Sequence, residues 1–170
     1  CHRCFQVFLL IICDIEEGQT LKILASFFLD SFFAILLMAL TDFSSRIVFE
    51  NEDFLVVCPF ASRTAFETII SPKKHSAYFE KITEKEKWDL AEALGRALNK
   101  IYKGLHDPAY NFYLHTAPSD KKNHNYYHWH WTILPKTEIP AGFELGTGIE
   151  ISTIEPERAA DYLKQQSYDL

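Results

Sequence analysis

The stretch that most constrains this chain is Tyr126-Tyr-His-Trp-His-Trp-Thr-Ile-Leu-Pro135. Aromatic and β-branched residues favour extended backbone, and the side chains of a strand alternate between its two faces. The spacing predicts a strand with His128, His130 and Thr132 on one face and Trp129, Trp131 and Ile133 on the other. Two imidazoles side by side, backed by two indoles, make a candidate site on a rigid support. The competing reading is a solvated sheet face with two incidental histidines. Further candidate ligands at His75 and His115 favour the site.

The rest of the chain supplies strands for this one to pair with. Arg46–Glu50 and Phe54–Cys58 read as strands joined by a turn at Asn51–Asp53, with Pro59 as a stop. Phe66–Ile70 reads as a third strand, ended by Ser71-Pro72 and followed by Lys73-Lys-His75. Thr83-Glu-Lys-Glu86 is a capping box opening a helix. Leu90, Leu94, Leu98, Ile101 and Leu105 then recur at helical spacing, and Gly104 marks the end. After the break at His106-Asp-Pro108, Ala109–His115 reads as a fourth strand carrying His115 at its end. Residues 142–154 read as one more strand, broken at Gly146-Thr-Gly148, and Pro156 to about Gln166 as a final helix. Strands, helix, strands, helix spell an α+β domain with a mostly antiparallel sheet.

Composition narrows the function classes. The 170 residues fit one domain with a proper core. A net charge of −6 offers no basic stripe to neutralise phosphates, so no nucleic-acid partner is expected. Four cysteines (Cys1, Cys4, Cys13 and Cys58) are too few and too uneven for a disulfide scaffold. Cys1-His-Arg-Cys4 is a CxxC pair without the βαβ context of a redox motif, and with downstream histidines it becomes a zinc candidate.

Residues 5–43 stand apart. Leu21–Leu40 is an apolar run of about the roughly 20 residues that cross a bilayer, but Lys22 and Asp30 interrupt it. A central Asp costs about 2.5–3.5 kcal/mol on insertion scales. Cysteines and charges precede the run, against a signal peptide. It reads as a membrane span, a helix packed on the domain, or sequence foreign to the fold, the last being preferred. The expected division is 1–43, a CxxC segment plus an atypical apolar insertion, and 44–170, the folded domain. The start at Cys1 without a methionine suggests a fragment of a longer protein.

Six pieces in order are distinctive: Pro59-Phe-Ala61, Phe66-Glu67, Pro72-Lys-Lys-His75, Leu114-His-Thr-Ala-Pro118, His128-Trp-His130 with Pro135, and Gly142-Phe-Glu-Leu-Gly-Thr-Gly148. On these, Arg46–Gln166 resembles the C-terminal half of galactose-1-phosphate uridylyltransferases and their nucleoside-diphosphate-hexose relatives, within the histidine-triad superfamily. The resemblance implies a half-barrel of antiparallel strands with flanking helices. It also implies a nucleotidyltransferase of hexose 1-phosphate and nucleoside-diphosphate-hexose metabolism, working through a nucleotidyl-histidine. The family nucleophile sits in a His-Pro-His motif, which is missing from this sequence. Catalysis by this chain alone is therefore not expected. Cys13-Asp-Ile also looks like the family's second cysteine, although position 10 is Leu.

The resemblance further suggests site residues. Cys1, Cys4, His75 and His128 match a zinc arrangement in some relatives, and a site of two thiolates and two imidazoles is closed and structural. Others use the equivalents of His115, His128 and His130 for iron or zinc; both sets claim His128. His130 occupies a nucleophile position, but Thr132 stands where the family motifs want His or Gln. Phe143 and Glu144 match a position where a carboxylate accepts hydrogen bonds from hexose hydroxyls, often across a subunit interface. Trp88, His2, His106 and His124 read as packing or surface. The expected partners are a UDP-hexose, a hexose 1-phosphate and a second copy in a homodimer, in the cytoplasm and off the membrane. Two alternatives stay open: a non-catalytic metal-stabilised lobe for sugar-nucleotide binding or dimerisation, and a stand-alone nucleotide hydrolase using His130.

Overall fold

The computed structural model describes residues 43–120 and 122–167, within the compact unit Asp42–Leu170. Cys1, Cys4 and the apolar run lie outside the described residues. Among the described helices none is long and apolar enough to cross a membrane.

A 3-10 turn at Phe43–Arg46 leads into β1 (Ile47–Glu50), which pairs antiparallel with β2 (Phe54–Val57). The turn between them is closed by Asn51, whose Oδ1 accepts the Phe54 N–H at 2.8 Å. Its Nδ2 donates to the Asp89 carbonyl at 2.8 Å, tying the hairpin to the long helix. β3 (Thr68–Pro72), β4 (Tyr110–His115) and β5 (His130–Pro135) complete a five-stranded sheet in the order β1-β2-β3-β5-β4, every pairing antiparallel.

Helix α1 (Glu84–Gly104) starts on the expected cap: Glu86 N–H donates to Thr83 Oγ1, and Thr83 N–H donates to Glu86 Oε2 at 2.7 Å. Its buried line is Leu90, Ala93, Ala97 and Ile101, with Leu94, Leu98 and Leu105 packed at the flanks. The two alanines let the helix approach the sheet closely, and the leucines of the sequence stripe seal the margins. They meet Phe54, Val56, Ile70 and Ile133, all 0% exposed. Burying such a side chain is worth roughly 1.5–3 kcal/mol. Helix α3 (Pro156–Lys164) adds Ala159, Ala160 and Leu163 to the same core.

Three local readings are corrected. Residues 142–154 hold no strand: Gly142–Thr147 is a short helix, α2, closed by Gly148 at φ 68°. The Glu144 carboxylate accepts the Ala141 N–H at 2.8 Å, a local cap that needs no pairing partner. The third strand begins at Thr68 rather than Phe66, because Phe66 takes a left-handed φ of 62°. It runs through Pro72. The histidine strand begins at His130, which leaves His128 on the approach, free of the strand's alternation.

Candidate functional site

The sheet sorts its residues by face. Tyr113, Thr132, Ile69 and Val57 are cross-strand partners in one row. Partners in a row share a face, and this one is opposite the face of Phe54, Val56, Ile70 and Ile133 that α1 covers. His115 pairs with His130 two rows along, so both imidazoles stand on the face away from α1. Their rings stack with centroids 5.1 Å apart and planes at 19°. His130 Nδ1–H donates to the His128 carbonyl at 3.0 Å, which leaves Nε2 with its lone pair. Burial lowers the His130 pKa below 6.5, so the ring is neutral at pH 7.

His75 and His128 form a second pair. His75 Nε2 lies 2.7 Å from the Asn125 carbonyl, and His128 Nε2 lies 2.7 Å from the Pro72 carbonyl. A carbonyl only accepts, so both Nε2 atoms carry the hydrogen. In the neutral rings both Nδ1 atoms are then acceptors, and they face each other at 3.2 Å. Two lone pairs at that distance repel unless a cation lies between them, either a proton or a metal. Zinc–nitrogen bonds of about 2.0–2.1 Å in a tetrahedron give a nitrogen–nitrogen edge of about 3.4 Å. The pair fits a metal edge.

Of the expected ligands, the structure thus joins His75 to His128 and His115 to His130. The trio His115, His128 and His130 is not gathered: among the described residues no three His, Cys, Asp or Glu side chains form a metal-holding group. The thiolates of the other set, Cys1 and Cys4, lie outside the described residues. Phe143 and Glu144 sit on α2, Phe143 with 55% of its surface exposed. Glu144 Oε1 also accepts the Ile151 N–H at 3.3 Å. A two-pronged bridge from Arg63 to Glu150, at 2.7 and 3.1 Å, holds the segment after α2 against the loop between β2 and β3. Arg63 also lies within electrostatic reach of Tyr113, which is on the histidine face.

Two backbone carbonyls that the sequence did not single out belong to the site, and a side chain read as surface proves largely enclosed. The carbonyls of Pro72 and Asn125 set the tautomers of the pair, and backbone acceptors carry no sequence signal. His124, read as surface, lies between Asp120 and Tyr126, with Nε2 2.7 Å from Asp120 Oδ1 and Nδ1 3.1 Å from Tyr126 Oη. Its spacing is that of a loop, without periodicity to reveal it.

A five-stranded antiparallel sheet, backed by a long helix and bearing histidines at its end, defines the histidine-triad class of fold. A zinc-bound histidine triad protein of Mycobacterium smegmatis shares it at a TM-score of 0.52 and 16% identity, over 77% of this chain and 89% of that one. Within that class, the chain belongs to the family of the galactose-1-phosphate uridyl transferase C-terminal domain, which matches residues 20–166. The ADP-glucose phosphorylase of Arabidopsis thaliana is 37% identical over 123 residues, covering 71% of this chain and 35% of that protein. A crystal structure of an Arabidopsis ADP-glucose phosphorylase with bound ADP-glucose superposes at a TM-score of 0.69 and 33% identity, over 85% of this chain and 47% of that one. The galactose-1-phosphate uridylyltransferase of Schizosaccharomyces pombe is 36% identical over 92 residues, 51% of this chain and 25% of that protein. The chain spans about a quarter to a third of the length of these curated relatives.

Proposed function

We propose that this chain is the C-terminal lobe of a nucleotidyltransferase that moves a nucleoside monophosphate between hexose 1-phosphates or releases a hexose 1-phosphate from a nucleoside-diphosphate-hexose. The observation carrying this reading is the likeness, in sequence and fold, to an ADP-glucose phosphorylase over more than two-thirds of the chain. The lobe contributes to binding and to the frame of the site. Glu144 offers acceptors to sugar hydroxyls, Phe143 an apolar surface beside them, and the Arg63–Glu150 bridge braces the segment that follows. The nucleophile comes from a His-Pro-His lobe.

The metal in this reading is zinc, held by Cys1, Cys4, His75 and His128. The facing Nδ1 atoms support the two histidines, and the CxxC pair supplies the softness that favours zinc over iron. With all four positions taken by protein, zinc supplies stability rather than a reacting water. The exposed Phe143, Leu145, Ile149 and Ile151 support a homodimer contact near the sugar site. The setting is cytoplasmic, without a nucleic-acid partner.

Calorimetric titration of the chain with glucose 1-phosphate, ADP-glucose and UDP-glucose tests the reading. Binding without turnover is expected, and a folded chain that binds none of the three overturns it. A second reading, nucleotide hydrolysis by His130, draws on the neutral ring and its unencumbered Nε2. An acid-labile nucleotidyl adduct lost in His130→Ala would establish that reading in place of the first.

A further inference from the structure

The loop from Asp120 to Tyr127, entering β5, is built on side-chain bonds to backbone. Asp120 Oδ1 accepts the Lys122 N–H at 3.0 Å and faces His124 Nε2 at 2.7 Å. A carboxylate only accepts, so that Nε2 carries the hydrogen, and His124 Nδ1 takes the proton of the Tyr126 hydroxyl at 3.1 Å. The His124 carbonyl accepts the Tyr127 N–H at 2.9 Å, closing a turn over Asn125. Asn123 Oδ1 accepts the Asn125 N–H at 3.0 Å. The His124 side chain is 13% exposed, the most enclosed of the Asp120–His124 pair. Among the described residues of this loop, the acceptor that meets the histidine pair is the Asn125 carbonyl, 2.7 Å from His75 Nε2.

We propose that His124 is a positioning residue: pinned by Asp120 and Tyr126, it fixes the turn that presents the Asn125 carbonyl to His75, and so holds His75 with Nδ1 open toward His128. Without that carbonyl only the intrinsic preference of a solvated imidazole for Nε2–H remains, and the exposed His75 ring is free to populate both tautomers. Groups that orient a ligating imidazole act on metal affinity by about 10–100-fold. The metal part of this inference rests on the zinc reading above; the tautomer part does not.

The test separates the two. Long-range proton–nitrogen NMR of the metal-free chain reports which nitrogen of His75 carries the hydrogen. Wild type is expected to show Nε2–H. His124→Ala is expected to show mixed tautomers, and His124→Gln, which keeps one donor for Asp120 and one acceptor for Tyr126, to restore the wild-type pattern. Tyr126→Phe removes a single hydroxyl from the loop and is expected to shift the tautomer in the same direction, so the idea is testable should His124→Ala fail to fold. Chelator competition on the same proteins is expected to show zinc affinity falling about tenfold in His124→Ala with the melting temperature little changed. An unmoved His75 tautomer in both His124→Ala and Tyr126→Phe overturns the proposal, whatever zinc does. A tautomer that shifts in these variants while the wild-type chain binds no zinc sustains the positioning role and removes the metal reading instead.

Discussion

The Nδ1 atoms of His75 and His128 face each other at 3.2 Å while both Nε2 atoms are committed to carbonyls. Two neutral rings so tautomerised would repel at that distance, a proton or a metal between them would relieve it, and the pairing makes the two ligand sets separable. Purified chain grown with zinc should carry one metal per chain by elemental analysis. His128→Ala should lose it under either set. His75→Ala should lose it and His115→Ala should keep it if Cys1, Cys4, His75 and His128 are the ligands; the reverse pattern would assign the thiol-free trio. Free zinc at a hundred times the dissociation constant adds about 2.7 kcal/mol of stability, so a chelator should lower the unfolding midpoint visibly.

Lys100 joins the two long-range partners of the core by an unusual route. It is 7% exposed, and its ammonium donates to the carbonyls of Leu163, Lys164 and Gln166 at 2.8–3.0 Å. These carbonyls lie at and just beyond the C-terminal end of α3, where a cation is also favoured by the helix dipole. Burial depresses the Lys100 pKa, yet the three acceptors satisfy all three hydrogens. Lys100→Met should cost about 2–3 kcal/mol in urea unfolding, because it strands buried carbonyls as well as removing the charge. A loss under 0.5 kcal/mol would show that α3 is held by its other contacts, among them the burial of Ala159, Ala160 and Leu163 and the Arg46–Glu157 bridge.

Elements with strong local signals were legible in advance. The Thr83–Glu86 box placed the start of α1, and the strand residues of β1, β2, β4 and β5 announced themselves by aromatic and β-branched content. The histidines were legible as residue types, and their pairing was not. His128 turns toward His75 because the Pro72 carbonyl holds it, and nothing in a one-letter string marks a carbonyl as an orienting group. The stretch 142–154 misled because its apolar residues suit a strand, whereas a strand also needs a neighbour. With a local carboxylate cap and a left-handed Gly148, a single helical turn and a half formed instead. Likewise the helix stripe was read from its leucines, while Ala93 and Ala97, which amphipathic patterns weigh little, are among its most deeply buried residues.

Glu67 gives the stability a predictable pH slope. It is 5% exposed, accepts the Arg63 N–H at 2.5 Å, and burial raises its pKa above the ordinary 4.5. A carboxyl whose folded pKa is raised favours folding while protonated. Its contribution is full below the unfolded value of about 4.3 and is lost as pH climbs through the folded value. Glu67→Gln keeps an acceptor for Arg63 and cannot ionise. Urea unfolding should show the mutant matching or exceeding wild type at pH 7, with the difference shrinking toward pH 4. A mutant less stable at pH 7 than at pH 4, relative to wild type, would mean that the ionised carboxylate is the stabilising form.

Glu144 serves α2 and, in the proposed function, the sugar. Its oxygens accept the N–H groups of Ala141 and Ile151, so Glu144→Ala removes a cap and a ligand contact together. The two roles separate by size, because α2 buries none of its own residues. Uncapping it should leave global stability within about 0.5 kcal/mol, the range of surface substitutions. Loss of paired hydrogen bonds to sugar hydroxyls should weaken binding of a hexose 1-phosphate at least tenfold, or about 1.4 kcal/mol, since each such bond to a charged group is worth roughly that or more. Glu144→Gln should fall between, retaining one acceptor and turning the other into a donor. Should calorimetry find hexose 1-phosphate bound equally well by all three proteins, the carboxylate is a helix cap and the sugar is bound elsewhere.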